Sequence, residues 1–366
     1  MNKGKNILIC PLEWGLGHAA RMIPLAKELL NRGHNVIIAS GKDQLNLIQF
    51  ELPGCRQIIF PGFKPVYSRY LPQYLAVLLQ IPLLIYYVVL EHIRLKGIIR
   101  ENSIDIVISD NRFGLWNSKV KTVYITHQLK IPFPKGFRFL EGTGAWLHRL
   151  IIRNFDYCFI PDLPGETNLS GRLSHNTTLP GNERYIGILS RFSDIKEMPD
   201  QAVTDREYKL VILSGPEPQR SIIQEKLEDI FAGRNEMIYF LEGKPGNKEQ
   251  RIAKKNMIFF SHMTSAEMAR LIRGASSIIC RSGYSTIMDL VSTGSSAILV
   301  PTPGQTEQEY LSEYLYEKDM FRYISQKELN SHSINIKPNT QGYLEMISDS
   351  RILLEKALNE LLQHPH

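Results

Sequence analysis

Only four of the 366 residues are cysteines, Cys10, Cys55, Cys158 and Cys280, and their separations match no metal-ligand spacing. Three of them sit in apolar runs (ILIC, DYCFI, SIIC), where a thiol behaves as a small buried hydrophobe rather than a disulfide partner or nucleophile. Low-complexity tracts are absent, and with 43% hydrophobic and 22% charged residues the composition excludes a disordered chain. No block of basic residues occurs either. The net charge is +6 and the pI about 9.0, with Lys and Arg scattered along the chain. That balance suits an anionic small ligand or an anionic membrane surface; no nucleic-acid partner is expected. The first apolar run, Asn6–Cys10, is too short for the core of a secretory signal, so the expected location is cytoplasmic.

One long apolar run is present. Residues 70 to 90 (YLPQYLAVLLQIPLLIYYVVL) carry no charge and are flanked by Arg69 on one side and Arg94 and Lys96 on the other. The length is near that of a bilayer span, but Pro72, Pro82, Gln73 and Gln80 oppose one. Three readings stay open: a buried helix, a span, or a peripheral helix lying on the inner face of a membrane.

At 366 residues two domains are expected. Short runs rich in β-branched residues recur at Asn6–Cys10, Asn35–Ser40, Arg56–Phe60, Ile104–Ser109, Lys121–Thr126 and Asp156–Ile160. Helical patterns separate several of them: in Ala20–Asn31, Ile23, Ala26, Leu29 and Leu30 form one stripe, closed by Gly33. Such alternation predicts a parallel sheet covered on both faces. The pattern breaks in the polar stretch from Leu179 to Glu207, then restarts at Lys209–Ser214, Met237–Leu241, Met257–Ser261, Ser277–Cys280 and Ala297–Val300. The expected class is therefore α/β, with two tandem Rossmann-like doubly wound domains. Residues 1–188 form the first and 189–348 the second, followed by a helix in 349–366 that packs back on the first.

In such sheets ligands bind beyond the carboxyl ends of the strands, and chemistry-bearing residues gather there. The first loop, PLEWGLGHAAR, holds Gly15, Gly17 and Ala20 at dinucleotide-fingerprint spacing. Four residues intervene after the strand, however, and no acid ends the second strand, so a nicotinamide enzyme is disfavoured. The glycines instead let a ligand approach a helix N-terminus. His18 in the first turn is a candidate general base, and Asp110, ending IDIVIS, can orient its imidazole. His127, ending TVYITH, is a second candidate base. Ser214 and Gly215 open a strand-to-helix turn with the character of an anion site. Thr264 and Glu267 make a capping box that starts a helix near Ser265 and places Ser261, His262 and Met263 at the sheet edge. Asp289, seven residues beyond Ser282, is an acid inside a short helix, and burying it demands a partner such as a pair of ribose hydroxyls.

The stretch 277 to 315, with RSGYSTIMD and VPTPGQTEQEY, resembles the donor-binding half of the inverting GT-B glycosyltransferases of family 28. That group includes the transferases acting on lipid-linked peptidoglycan precursors and the galactolipid synthases, and WGLGHAAR is similar to its histidine-containing first loop. The resemblance implies two domains facing across a cleft, a UDP-sugar donor, and an acceptor such as a lipid-linked glycan or glycolipid. It implies Asp289 on the donor ribose, Gln308 and Glu309 beside the donor sugar, and Ser261 to Met263 framing the uracil. Ser214, Gly215, Ser282 and Gly283 would give backbone contacts to the diphosphate, with Arg281 nearby, and His18 would be the base partnered by Asp110. Trp14 stands where the family commonly has glycine, Asp289 where glutamate is commoner, and Glu309 where the peptidoglycan enzyme has a second glutamine, so a different donor sugar or acceptor is expected. No Asp-x-Asp occurs in the chain. No metal and no cofactor are expected, and helix N-termini would stabilise departing UDP at roughly 0.3–2 kcal/mol per contact. Two rivals share the nucleotide site: a hydrolysing UDP-sugar epimerase and a non-catalytic nucleotide-sugar-binding subunit.

Overall fold

The computed structural model describes residues 4–66, 73–133, 135–193, 207–244, 250–254, 256–331, 334 and 343–363. The elements of its first half are β1 (Asn6–Cys10), α1 (Leu16–Asn31), β2 (Asn35–Ser40), α2 (Lys42–Glu51), β3 (Arg56–Ile59), α3 (Gln73–Leu78) and α4 (Ile81–Asn102). They continue with β4 (Ile106–Asp110), β5 (Lys121–Ile125), a 3-10 turn (Lys135–Leu140), α5 (Glu141–Ile152), β6 (Tyr157–Ile160) and β7 (Glu183–Tyr185). The strands form one parallel sheet in the order β3-β2-β1-β4-β5-β6-β7. Its central strands are apolar because helices cover both faces; Leu8, Ile37 and Val107 pack with Leu95 of α4. Each such side chain, fully buried, stabilises the fold by about 1.5–3 kcal/mol.

The second half contains β8 (Tyr208–Ile212), α6 (Gln219–Phe231), β9 (Met237–Leu241), β10 (Gln250–Lys254), β11 (Met257–Phe260), α7 (Ser265–Gly274) and β12 (Ser277–Cys280). After these come α8 (Tyr284–Ser292), β13 (Ile298–Leu299), α9 (Thr306–Glu317), β14 (Arg322–Tyr323) and α10 (Tyr343–Gln363). The sheet runs β10-β11-β9-β8-β12-β13-β14, with β10 antiparallel to β11 and the other strands parallel. Setting aside β7 of the first and β10 of the second, the two sheets have the same strand order. Both are doubly wound and reverse direction beside their first strand, at β1/β4 and at β8/β12.

Contacts divide the chain into two compact units: Met1–Val66, Val77–Leu189 and Glu345–His366 in one, Tyr67–Ala76 and Ser190–Leu344 in the other. In the first unit α10 ends on two amines, Lys5 Nζ donating to the carbonyl of Leu362 and Lys121 Nζ to that of Leu361. Cations there complement the partial negative charge of a helix C-terminus. Gly187 adopts φ +71° and presses against Ser350, where a Cβ would collide with the Ser350 backbone.

The uncharged run is not one helix. Residues 70–72, with Arg69, lie outside the described residues, and the remainder splits at Leu79–Gln80 into α3 and α4. Pro82, in the first turn of α4, starts a new helix there. No helix among the described residues is long and apolar enough to cross a membrane. Nor is the run buried: Leu78, Leu79, Ile81, Leu83, Ile85, Tyr86 and Val89 are exposed, Leu79 at 73%. This exposure rules out the buried helix among the three readings.

Candidate active site

The first unit places its titratable residues at the β1/β4 switch point. Asp110, the last residue of β4, is fully buried, and His18 lies in the first turn of α1. Nδ1 of His18 stands 3.0 Å from Oδ2 of Asp110. The two residues paired in the sequence reading are therefore in direct contact. A third residue joins them. Arg21, three residues after His18 on the same helical face, donates from Nε to Asp110 Oδ2 at 2.9 Å and from Nη2 to Oδ1. Burial alone would push the Asp110 carboxyl up, but the Arg21 guanidinium and the His18 ring bring it down to about 2. Asp110 is thus a carboxylate at any physiological pH.

His127, just beyond β5, is held differently. Arg21 Nη1 lies 3.2 Å from its Nδ1. A guanidinium only donates, so this nitrogen accepts and a neutral His127 ring carries its proton on Nε2. Arg21 thus touches both candidate bases, since its Nη2 also lies 2.9 Å from Nδ1 of His18. Nothing singled out Arg21 beforehand, since an arginine in an amphipathic helix is ordinarily a solvated one; only its i+3 spacing from His18 pointed to it. Around this cluster, Glu13 accepts from the Gly62 amide at 2.6 Å. Trp14 donates Nε1–H to the Phe63 carbonyl at 3.1 Å, closing the first loop against residues 62 and 63. Gly15 caps α1, and a Cβ built on it would meet nothing within 4 Å, so the space over this helix start is open; Gly17 lies one residue inside the helix.

In the second unit, the loops after β8, β11, β12 and β13 carry the expected donor residues. Asp289, on the second turn of α8, is buried, and its Oδ1 accepts from the Ser190 hydroxyl at 2.6 Å. Arg191 approaches the other oxygen at 3.6 Å, its Nη2 on the Met268 sulfur and its guanidinium over the Phe192 ring. Ser190 and Arg191 fall in a stretch whose prolines and glycines read as interdomain linker, so polarity alone concealed them. Gln308 accepts from the Thr302 amide through Oε1, and its carbonyl takes the Ser282 hydroxyl. Glu309 accepts from the Gly304 amide at 2.8 Å. Both α9 side chains thus brace the loop after β13. Gly283 caps α8, and the Thr264–Glu267 capping box forms as expected, with Ser261, His262 and Met263 half-buried just before it.

One expected anion contact, Arg281, is occupied within the unit. Arg281 is buried, and its guanidinium donates to the carbonyls of Val300, Pro301 and Gln219, so it braces backbone. Burial pushes it down to about 10. At the start of α6, beyond Ser214 and Gly215, Glu217 accepts from the Ser221 amide and hydroxyl and pairs with Arg220. Glu217 thus engages one amide of the first turn of α6, and the Ser282–Gly283 turn with the start of α8 is a further anion-binding candidate on this edge. All four cysteines are buried free thiols, and burial pushes Cys10 and Cys280 up to about 12.

Against known proteins, residues 197–359 match the glycosyltransferase family 28 C-terminal domain. Over 108 residues, 29% of this chain, the sequence is 32% identical to a UDP-N-acetylglucosamine–N-acetylmuramyl-(pentapeptide) pyrophosphoryl-undecaprenol N-acetylglucosamine transferase from Psychromonas ingrahamii, the match spanning 28% of that protein's length. Among solved structures, the glycotransferase of kitacinnamycin is similar with a TM-score of 0.64 and 14% identity, covering 97% of this chain and 96% of that one. MurG of Acinetobacter baumannii is similar with a TM-score of 0.54 and 12% identity, covering 98% and 100%. At such identities these two report the fold.

Proposed function

The chain is a family 28-like member of the GT-B fold, and from that premise we propose that it is an inverting, metal-independent glycosyltransferase moving a hexose or N-acetylhexosamine from a UDP-sugar to an acceptor hydroxyl. The supporting observation is the contact of His18 with a permanently ionised Asp110 at a sheet switch point. Nε2 of His18 takes the proton of the acceptor hydroxyl, the oxygen attacks the anomeric carbon, and the bond to UDP breaks on the opposite face. Asp110 stabilises the imidazolium so formed. Amides of the Ser282–Gly283 turn and the first turn of α8 receive the diphosphate charge, while Asp289 takes the ribose hydroxyls. Residues 1–188 serve the acceptor and 189–348 the donor.

The acceptor is lipid-linked in this reading, and the protein works at the inner face of a membrane. Besides those of α4, exposed apolar residues occur at Phe137 and Phe139 of the 3-10 turn and at Trp146, Leu147 and Leu150 of α5. Both helices pack on residues 113–116, His92 against Trp116 and His148 against Phe113. Within 73–100 and 131–153 the only carboxylates are Glu91 and Glu141, both buried and paired, while Arg94, Lys96, Arg138 and Arg153 are exposed. Exposed apolar residues accompanied by exposed cations and no exposed carboxylate suit anionic lipid.

The test is a panel of nucleotide sugars scored by thermal shift and then by product. A ligand at one hundred times its dissociation constant stabilises the fold by about 2.7 kcal/mol. UDP-sugar stabilisation with transfer to a lipid-linked acceptor is expected. Release of UDP with no acceptor would make the protein a hydrolysing epimerase, and stabilisation without turnover a binding subunit.

A further inference from the structure

His18 Nδ1 has two neighbours that make opposite demands. Asp110 Oδ2 at 3.0 Å requires a proton on that nitrogen, and Arg21 Nη2 at 2.9 Å requires a lone pair. A neutral imidazole satisfies one of them at a time. With the proton on Nδ1, held by Asp110, the Nε2 lone pair is available as a base. With Arg21 donating, Nε2 carries the proton and the ring cannot accept another there. When His18 is protonated both nitrogens donate, Asp110 holds Nδ1–H, and a guanidinium nitrogen faces the new cation.

We infer that Arg21 is a positioning residue that sets the protonation of His18, opposing its imidazolium while its remaining N–H groups fix the Asp110 carboxylate and the His127 tautomer. The inference deepens the reading of His18 as a base, and no contact beyond this cluster is needed for it. The charged and titratable groups facing the ring are Arg21 on α1, Asp110 at the end of β4 and, through Arg21, His127 beyond β5. Tyr124 on β5 lies behind them, its hydroxyl engaged by Asn111 and His148. The Asp110 carboxylate favours an imidazolium at His18 and the Arg21 cation opposes one, so the two neighbours pull the ring in opposite directions.

The test is a histidine ring titration by NMR on the full chain, isotope-labelled at histidine and assigned with His18→Gln. In Arg21→Met the His18 ring should titrate at a higher pH than in the wild type by at least about one unit, a tenfold gain in proton affinity. Arg21→Lys, which keeps the charge and loses the fork, should fall between. In the wild type the His127 Nδ1 signal should be that of an unprotonated acceptor across the neutral range, an arm that requires no variant to fold. Equal His18 titration in wild type and both variants, or a proton on His127 Nδ1, would overturn the inference. In a turnover assay with UDP-sugar, Arg21→Met should move the acid limb to higher pH and leave the donor KM unchanged, whereas a merely structural loss lowers kcat evenly at every pH. The ring titration reads Arg21 even if no transferase activity is found, so failure of the function and failure of this inference are separable.

Discussion

The hydroxyl of Ser190 donates to Oδ1 of Asp289 over 2.6 Å, so the carboxylate expected to hold ribose is already satisfied by a residue of its own unit. The Ser190 hydroxyl lets Asp289 stay buried without ligand, and in the proposed site two ribose hydroxyls would engage the carboxylate. Asp289→Ala should therefore weaken UDP binding by about 2–4 kcal/mol, the worth of a charge-assisted pair of hydrogen bonds. Ser190→Ala, which removes only the stand-in, should keep UDP affinity within a few-fold. Calorimetric titration with UDP measures both; equal affinity in Asp289→Ala would take the residue out of the site.

Acid should destabilise the fold from about pH 6.5 downward, through His148. Burial against Phe113 and Tyr124 pushes this imidazole from 6.5 down to about 4, so the folded protein keeps it neutral where the unfolded chain protonates it. The contribution is fully present above 6.5 and is lost as pH falls through about 4; at about 1.4 kcal/mol per pH unit it amounts to roughly 3 kcal/mol. Urea midpoints measured across that window should slope steeply in the wild type and flatten in His148→Gln. An unchanged slope in the variant would assign the acid sensitivity elsewhere.

Turnover should survive a strong chelator. In the mechanism proposed, backbone amides and not a cation receive the diphosphate, and no three His, Cys, Asp or Glu side chains among the described residues group so as to hold a metal ion. Rates measured with and without chelator should agree within error. Loss of activity restored by manganese would replace the helix N-terminus with a metal in the mechanism.

Much of this architecture was legible because the inner strands advertise themselves. Asn6–Cys10, Asn35–Ser40, Met237–Leu241 and Ser277–Cys280 are near-continuous apolar runs, buried on both faces, and their limits coincide with β1, β2, β9 and β12. The strands that escaped notice, β7 (ERY), β10 (QRIAK) and β14 (RY), are polar and at sheet edges, where one neighbour suffices and no apolar period is required. His18 and Asp110 were legible because a strand end and a helix start fix where they lie. Arg21 and Arg191 were not, because burial of an arginine depends on a carboxylate distant in sequence, Asp110 for one and Asp289 for the other. The repeat of strand order was equally hidden, since it resides in topology and leaves no residue-level period.

The protein should bind anionic vesicles through the α4–α5 surface, and the binding should weaken as salt rises. Phe139 is 76% exposed and Tyr86 59%, and an exposed aromatic and aliphatic surface of this extent has a high cost in water unless something covers it. The nearby charges at Arg94, Lys96, Arg138 and Arg153 are all cationic, each worth about 1 kcal/mol beside an anionic leaflet and screened within a Debye length of about 8–10 Å at ordinary salt. Reversing Arg94, Lys96 and Arg138 to glutamate should cut flotation with phosphatidylglycerol vesicles by at least tenfold and leave UDP affinity intact, because these residues belong to the first unit and the proposed donor residues to the second. Replacing Tyr86 and Phe139 by serine should weaken binding to neutral and anionic vesicles alike, separating the apolar contribution from the electrostatic one. Wild-type protein that fails to float with anionic vesicles at low salt would end the membrane reading and make a soluble acceptor the better proposal.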